Sequence, residues 1–107
     1  SPCIYSTGNI SINESQGSAA GSEIAVIEGK NSIMLDQVDL TGAKKHGVML
    51  YQSFSGDASV GQATFSAKDS KLTNKSDGPM FYITNTTATA SLENTELIQA
   101  GDTLVVP

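Results

Sequence analysis

At 107 residues the chain is one small domain or a piece of a larger array, and 38% hydrophobic and 6% aromatic content, without tryptophan, is thin for a conventional globular core. A net charge of −5, with all six basic residues lysines, lacks the basic footprint of a nucleic-acid binder and disfavours an anionic membrane. No apolar run is long enough to span a bilayer, and the Ser, Thr, Asn and Gly that dominate suit strands and turns rather than helices.

Taken in order, the chain opens with Cys3-Ile4-Tyr5 and then alternates polar and apolar through Asn9-Ile10-Ser11-Ile12-Asn13, the pattern of a half-buried strand. Residues 16–22 are turn material. A second unit starts at Ile24-Ala25-Val26-Ile27, turns at Gly29-Lys30-Asn31 and continues through Ile33-Met34-Leu35 to Leu40. Two later units resemble each other. Gly47-Val48-Met49-Leu50-Tyr51 aligns with Gly78-Pro79-Met80-Phe81-Tyr82 at an offset of 31 (Gly47 to Gly78), and the tract Ala63–Leu72 aligns with Ala88–Leu97 at an offset of 25 (Ala63 to Ala88). The difference is an insertion within residues 54–62. Repeats of this length are the signature of a solenoid.

Units with three short strands each predict one coil of a parallel β-helix, with coils at about 1–22, 23–46, 47–77 (loop 54–62 inserted), 78–102, and a fifth beginning at 103–107. The fold class expected is therefore all-β. Stacking the units gives first-strand columns Pro2, Ile24, Val48, Pro79, Leu104, then Cys3, Ala25, Met49, Met80, Val105, then Ile4, Val26, Leu50, Phe81, Val106, then Tyr5, Ile27, Tyr51, Tyr82. Second-strand columns are Ile33, Phe65, Ala90 and Leu35, Ala67, Leu92. The third strand gives Val38, Ser70, Thr95 and Leu40, Leu72, Leu97. Charges stack too, as Asp36, Lys68, Glu93 and Asp39, Lys71, Glu96, which reads as a solvated face whose pairs help set register.

The first strand is apolar on both parities, so one outer face is covered or binds something. Parity leaves open which column points inward. If the larger aliphatics fill the coil, Cys3, Met49, Met80, Tyr5, Tyr51 and Tyr82 point outward, and tyrosines one strand apart form a platform for sugar rings. The insertion adds Phe54 and Asp57 as candidate ligand contacts, because solenoids place inserted loops on one face.

The sequence holds no nucleophile–base constellation and no Cys/His metal spacing. His46 reads as a solvated turn residue, and Cys3, the single cysteine, as a small buried hydrophobe. Calcium is the metal that oxygen ligands would favour, with Asp57, Asp69 and Asp77 near turns; the spacing assigns no ligand set.

The units Gly47–Ser53 and Gly78–Asn85, each followed by a Thr-x-x-x-(Lys/Glu)-(Asp/Asn)-(Ser/Thr)-x-Leu strand, resemble right-handed parallel β-helix repeats of the pectate-lyase-like superfamily. Within it they are most similar to non-catalytic carbohydrate-binding β-helix proteins of bacterial surfaces. The resemblance implies an extracellular or cell-surface location, calcium in many members, and polysaccharide or host glycan as partner. The superfamily's lyases use clustered aspartates and an arginine or lysine base; this chain has no arginine and no stacked aspartate cluster. The expectation is a non-enzymatic carbohydrate-binding or adhesin segment contacting ligand through Tyr5, Tyr51, Tyr82, Phe54 and Asp57. The alternatives are a fragment of a polysaccharide lyase or hydrolase, and a structural stalk or filament subunit. Terminal repeats need capping, so a fragment of a longer β-helix, with self-association or added coils at its open ends, is also expected.

Overall fold

The computed structural model describes residues 2–6, 8–44, 46–51, 62–84 and 87–107, the side chains of Met49 and Tyr51 excepted. These residues form strands and no helix, so the chain is all-β. The strands recur in threes. First strands are β1 (Ile4–Ser6), β4 (Ala25–Glu28), β7 (Val48–Tyr51) and β10 (Phe81–Ile83). Second strands are β2 (Ile10–Asn13), β5 (Ser32–Asp36), β8 (Thr64–Lys68) and β11 (Thr89–Glu93). Third strands are β3 (Gln16–Ala19), β6 (Asp39–Gly42), β9 (Lys71–Asn74) and β12 (Thr95–Gln99). Each set pairs in parallel, in chain order, as its own sheet, and a last strand, β13 (Asp102–Val106), joins the third sheet beside β12.

The second and third sheets keep the register that their hydrophobic pattern predicts. Ile10, Ile33, Phe65 and Ala90 form one column, and Ile12, Leu35, Ala67 and Leu92 the next. Leu40, Leu72 and Leu97 stack in the third sheet. Inward residues of the middle units, such as Ile33, Phe65 and Leu72, have no solvent contact. A one-residue shift would turn these side chains outward, so burial itself holds the register. The charged columns Asp36, Lys68, Glu93 and Asp39, Lys71, Glu96 are also as predicted.

The bend between second and third strands is the same in every unit. Glu14, Gln37, Asp69 and Asn94 occupy it with left-handed backbone, φ 50°, 57°, 50° and 45°. A side chain in that region costs of order 1 kcal/mol or more unless its surroundings fix it. Here the inter-unit ladder runs straight through the bend. The amides of Glu14, Gln37 and Asp69 donate to the carbonyls of Asp36, Lys68 and Glu93, each at 3.0 Å. Just past it, those of Asp39, Lys71 and Glu96 donate back to Ser15, Val38 and Ser70 at 2.9–3.0 Å. Hydroxyls at the next position reach back across the bend: Ser15 to Asn13 O, Ser70 to Lys68 O and Thr95 to Glu93 O, at 2.7–2.9 Å. Val38 occupies that column without a hydroxyl, and its amide donates instead to Ser70 Oγ at 3.2 Å.

The first sheet departs from the predicted columns. Ile4 pairs with Ala25 rather than Val26, and Val26 with Met49 rather than Leu50. Tyr82 pairs with Met49, two places from the expected partner Tyr51, which lies opposite Glu28. Parity is settled as well: Ile4, Ala25 and Val48 are buried, while Tyr5 and Tyr82 lie on the outer face. Met80, expected outside, is buried. β4 is buried along Ala25, Val26 and Ile27, so no alternation marks its register and the turns decide it.

Asn74 and Gly47 supply that decision for β10. Asn74, 1% exposed, donates from Nδ2 to the carbonyls of Gly78 and Pro79 at 3.3 and 3.4 Å, and its Oδ1 accepts the Ser76 amide and hydroxyl. Gly78 and Pro79 are thereby held in the turn. Gly47 lies against the Met80 backbone, where a Cβ would come within 2.8 Å of Met80 O and strike its sulfur. The matching glycines at 47 and 78 therefore do different jobs, and aligning them misplaces the strand.

The predicted fifth coil at 103–107 does not form. Ala100 and Gly101 have φ 50° and 84°, the two positive values of a type I′ turn, and the chain folds back on itself. β13 runs antiparallel to β12, with Gln99 opposite Asp102 and Leu97 opposite Leu104.

Two substitutions test this account by urea unfolding. A Cβ at Gly42 would lie 2.7 Å from Ile24 N and 2.9 Å from Glu23 C, so Gly42→Ala is expected to cost about 1–3 kcal/mol. Asn74→Ala, which removes the side-chain bonds to the Gly78 and Pro79 carbonyls and to the Ser76 amide and hydroxyl, is expected to cost about 1–3 kcal/mol; unchanged midpoints in both would refute the packing described.

Candidate functional site

Backbone register in the first sheet puts Tyr5, Val26, Met49 and Tyr82 in one column, and Tyr5 and Tyr82 project from its outer face. Tyr5 is 50% exposed and Tyr82 42%, whereas Val26 between them is buried. The two tyrosines are three strand steps apart, roughly 14 Å. They do not form the contiguous ladder the sequence suggested. Tyr51 follows Met49 by two residues, in the neighbouring column beside Glu28. The Tyr51 side chain, together with Phe54 and Asp57, lies outside the described residues.

Each exposed tyrosine has its own support. The Tyr5 hydroxyl donates to Glu28 Oε1, and that bond to a carboxylate, with lesser contributions from burial and the carboxylate's charge, pushes the phenol up from 10.0 to about 12. The Tyr82 ring stacks on the His46 imidazole, centroids 4.3 Å apart and planes 23° from parallel. His46 is partly buried, and its Nδ1 is enclosed without a hydrogen-bond partner among the described residues. The sequence reading of His46 as a solvated turn residue thus needs correction. Nothing in residues 44–47 signals the stack, because it depends on where β10 falls in register. Asn74 and Gly47 fix that register, and so they place Tyr82.

Beside this face, burial acting alone would push the Glu23 carboxyl up. The Ser22 hydroxyl at 2.8 Å, a backbone bond and the charges of Lys44 and His46 outweigh it and hold the group below its usual range. Cys3 is partly buried, its thiol 3.5 Å from Thr41 O and raised by burial.

A second concave surface follows the left-handed bend, a groove of about 560 Å³ bordered by Glu14, Gln37, Asp39, Asp69, Lys71 and Glu96. The Asn94 amide donates to Asp69 Oδ1 at 2.8 Å within it. Of the aspartates considered for calcium, Asp69 is in this groove and Asp77 is exposed in the turn before β10; Asp57 is outside the described residues. Among the described residues no three His, Cys, Asp or Glu side chains converge as a metal site.

Comparison with family models, curated proteins and solved structures found no match to this chain.

The Tyr5–Glu28 bond makes a pH prediction. The folded phenol's value exceeds the unfolded one, so its contribution is complete below pH 10 and is lost as pH rises toward about 12. The stability involved is small because the ring is half in solvent. In a spectrophotometric titration Glu28→Gln should return one of the three tyrosines toward pH 10. An unchanged titration would show that the bond is not formed.

Proposed function

We propose that this chain is a segment of an extracellular right-handed parallel β-helix that binds carbohydrate, without catalysis, on the outer face of its first sheet. Support for the β-helix reading comes from the parallel pairing of every third strand and from the repeated left-handed bend. The antiparallel β13 terminates this pattern in the third sheet. The observation that carries the binding reading is the exposed Tyr82 ring pre-stacked on His46. A ring already held in place loses little freedom when a sugar packs against its open face. Tyr5, fixed by Glu28, supplies a second contact roughly 14 Å away, which suits an extended glycan rather than a single sugar.

The test is glycan-array binding followed by titration of the retained oligosaccharide. Tyr82→Ala is expected to weaken it by about 1 kcal/mol, roughly fivefold, and His46→Ala to have a smaller effect through the ring's position. Retention unaffected by Tyr82→Ala and Tyr5→Ala together would overturn the assignment of this face.

A further inference from the structure

The third sheet ends in a strand whose far edge has no partner among the described residues. β13 lies outside β12, and four of its five residues are exposed, Leu104 at 62% and Val105 at 58%. Such an edge is a template for another strand. The pairing with β12 determines which groups are free. In a two-residue hairpin the residues flanking the loop form a hydrogen-bonded pair, and hydrogen-bonded and non-bonded pairs alternate from there. Gln99–Asp102, Leu97–Leu104 and Thr95–Val106 are therefore the bonded pairs, and the N–H and C=O groups of Thr103 and Val105 point away from β12.

We propose that this edge pairs antiparallel with the same strand of a second copy of the chain. The free groups complement themselves. With Leu104 opposite its own copy, Thr103 of each chain faces Val105 of the other, and both free donors find both free acceptors. That alignment makes four inter-chain hydrogen bonds. Moving the two-fold centre by one residue, to Thr103 opposite Thr103, slides the strands by two and leaves Val105 facing the Gly101 turn. Side chains agree with the backbone: Leu104 meets Leu104 as a non-bonded pair, the arrangement that brings side chains closest.

The contact strand itself adds little to the charge repulsion between two copies. The chain carries −5, so like molecules repel in general. β13 holds a single charge, Asp102, and the alignment sets it opposite Val106, keeping the two carboxylates at opposite ends of the paired strands. Beside the strand lies a cleft to which Met80, Phe81, Leu97 and Leu104 contribute apolar surface and Asp102 the one charge. The contact is isologous, so it closes as a dimer and does not propagate into a filament.

Sedimentation equilibrium over a concentration series should show the mass rising from 11.1 kDa toward twice that value. Val105→Pro removes a free edge donor while leaving every bond to β12 intact, and it should hold the protein at the monomer mass with an unchanged circular dichroism spectrum and, compared at concentrations where the unsubstituted chain is also monomeric, an unchanged melting point. In the unsubstituted chain, amide exchange at Thr103 and Val105 should slow as concentration rises. A monomer at all concentrations overturns the proposal. So does an oligomer in which Thr103 and Val105 exchange as fast as in dilute solution, or one that Val105→Pro leaves intact once its fold is verified.

Discussion

The backbone ladder between successive units is the constraint on which everything else rests. Each unit must match its neighbour along three strands and through the bend joining two of them. Any residue gained or lost within a strand would break parallel pairing on one sheet while leaving the others in place. The left-handed bend makes this demand satisfiable. It turns the chain in a single residue and keeps the amide on its strand side bonded to the next unit. The flanking hydroxyls of Ser15, Ser70 and Thr95 then add a bond to the carbonyls of Asn13, Lys68 and Glu93, of which the last two also accept a ladder amide. Non-glycine side chains tolerate the strain because neighbours above and below hold the same conformation.

The proposed binding reading depends on what the first sheet presents. Its inner face is filled by Ile4, Ala25, Val48, Ile27 and Leu50, which leaves the alternate positions for the outside. Tyr82 reaches solvent as a stacked ring because β10 begins at Phe81, and β10 begins there because Asn74 retains Gly78 and Pro79 in the turn. A buried asparagine thus links the core to the candidate site. The polar groove along the bend reaches β13 at Val105, so it adjoins the edge of that strand.

Much of this was legible from the residues. The second and third strands alternate cleanly, as in Ser32-Ile33-Met34-Leu35-Asp36 and Thr64-Phe65-Ser66-Ala67-Lys68, so their inward columns and the stacked charges could be written down without coordinates. The first strand could not be read this way. Both faces of Ala25-Val26-Ile27 are apolar, and a pattern without contrast carries no register. The matching Gly-x-Met-x-Tyr tracts then suggested an alignment two residues from the observed one. The final strand misled for a related reason: Thr103–Val106 has the composition of a new first strand, while its direction was set by two turn residues.

By itself the sequence determined an all-β chain of repeated three-strand units, because strand-forming residues, turn residues and the period-2 pattern are local properties. Only the tertiary structure decided the first-sheet register, the stacking of Tyr82 on His46 and the reversal at Ala100-Gly101. Those outcomes turn on contacts between residues far apart in the chain, where a glycine against a methionine or a buried amide selects among alignments that local patterns leave equal.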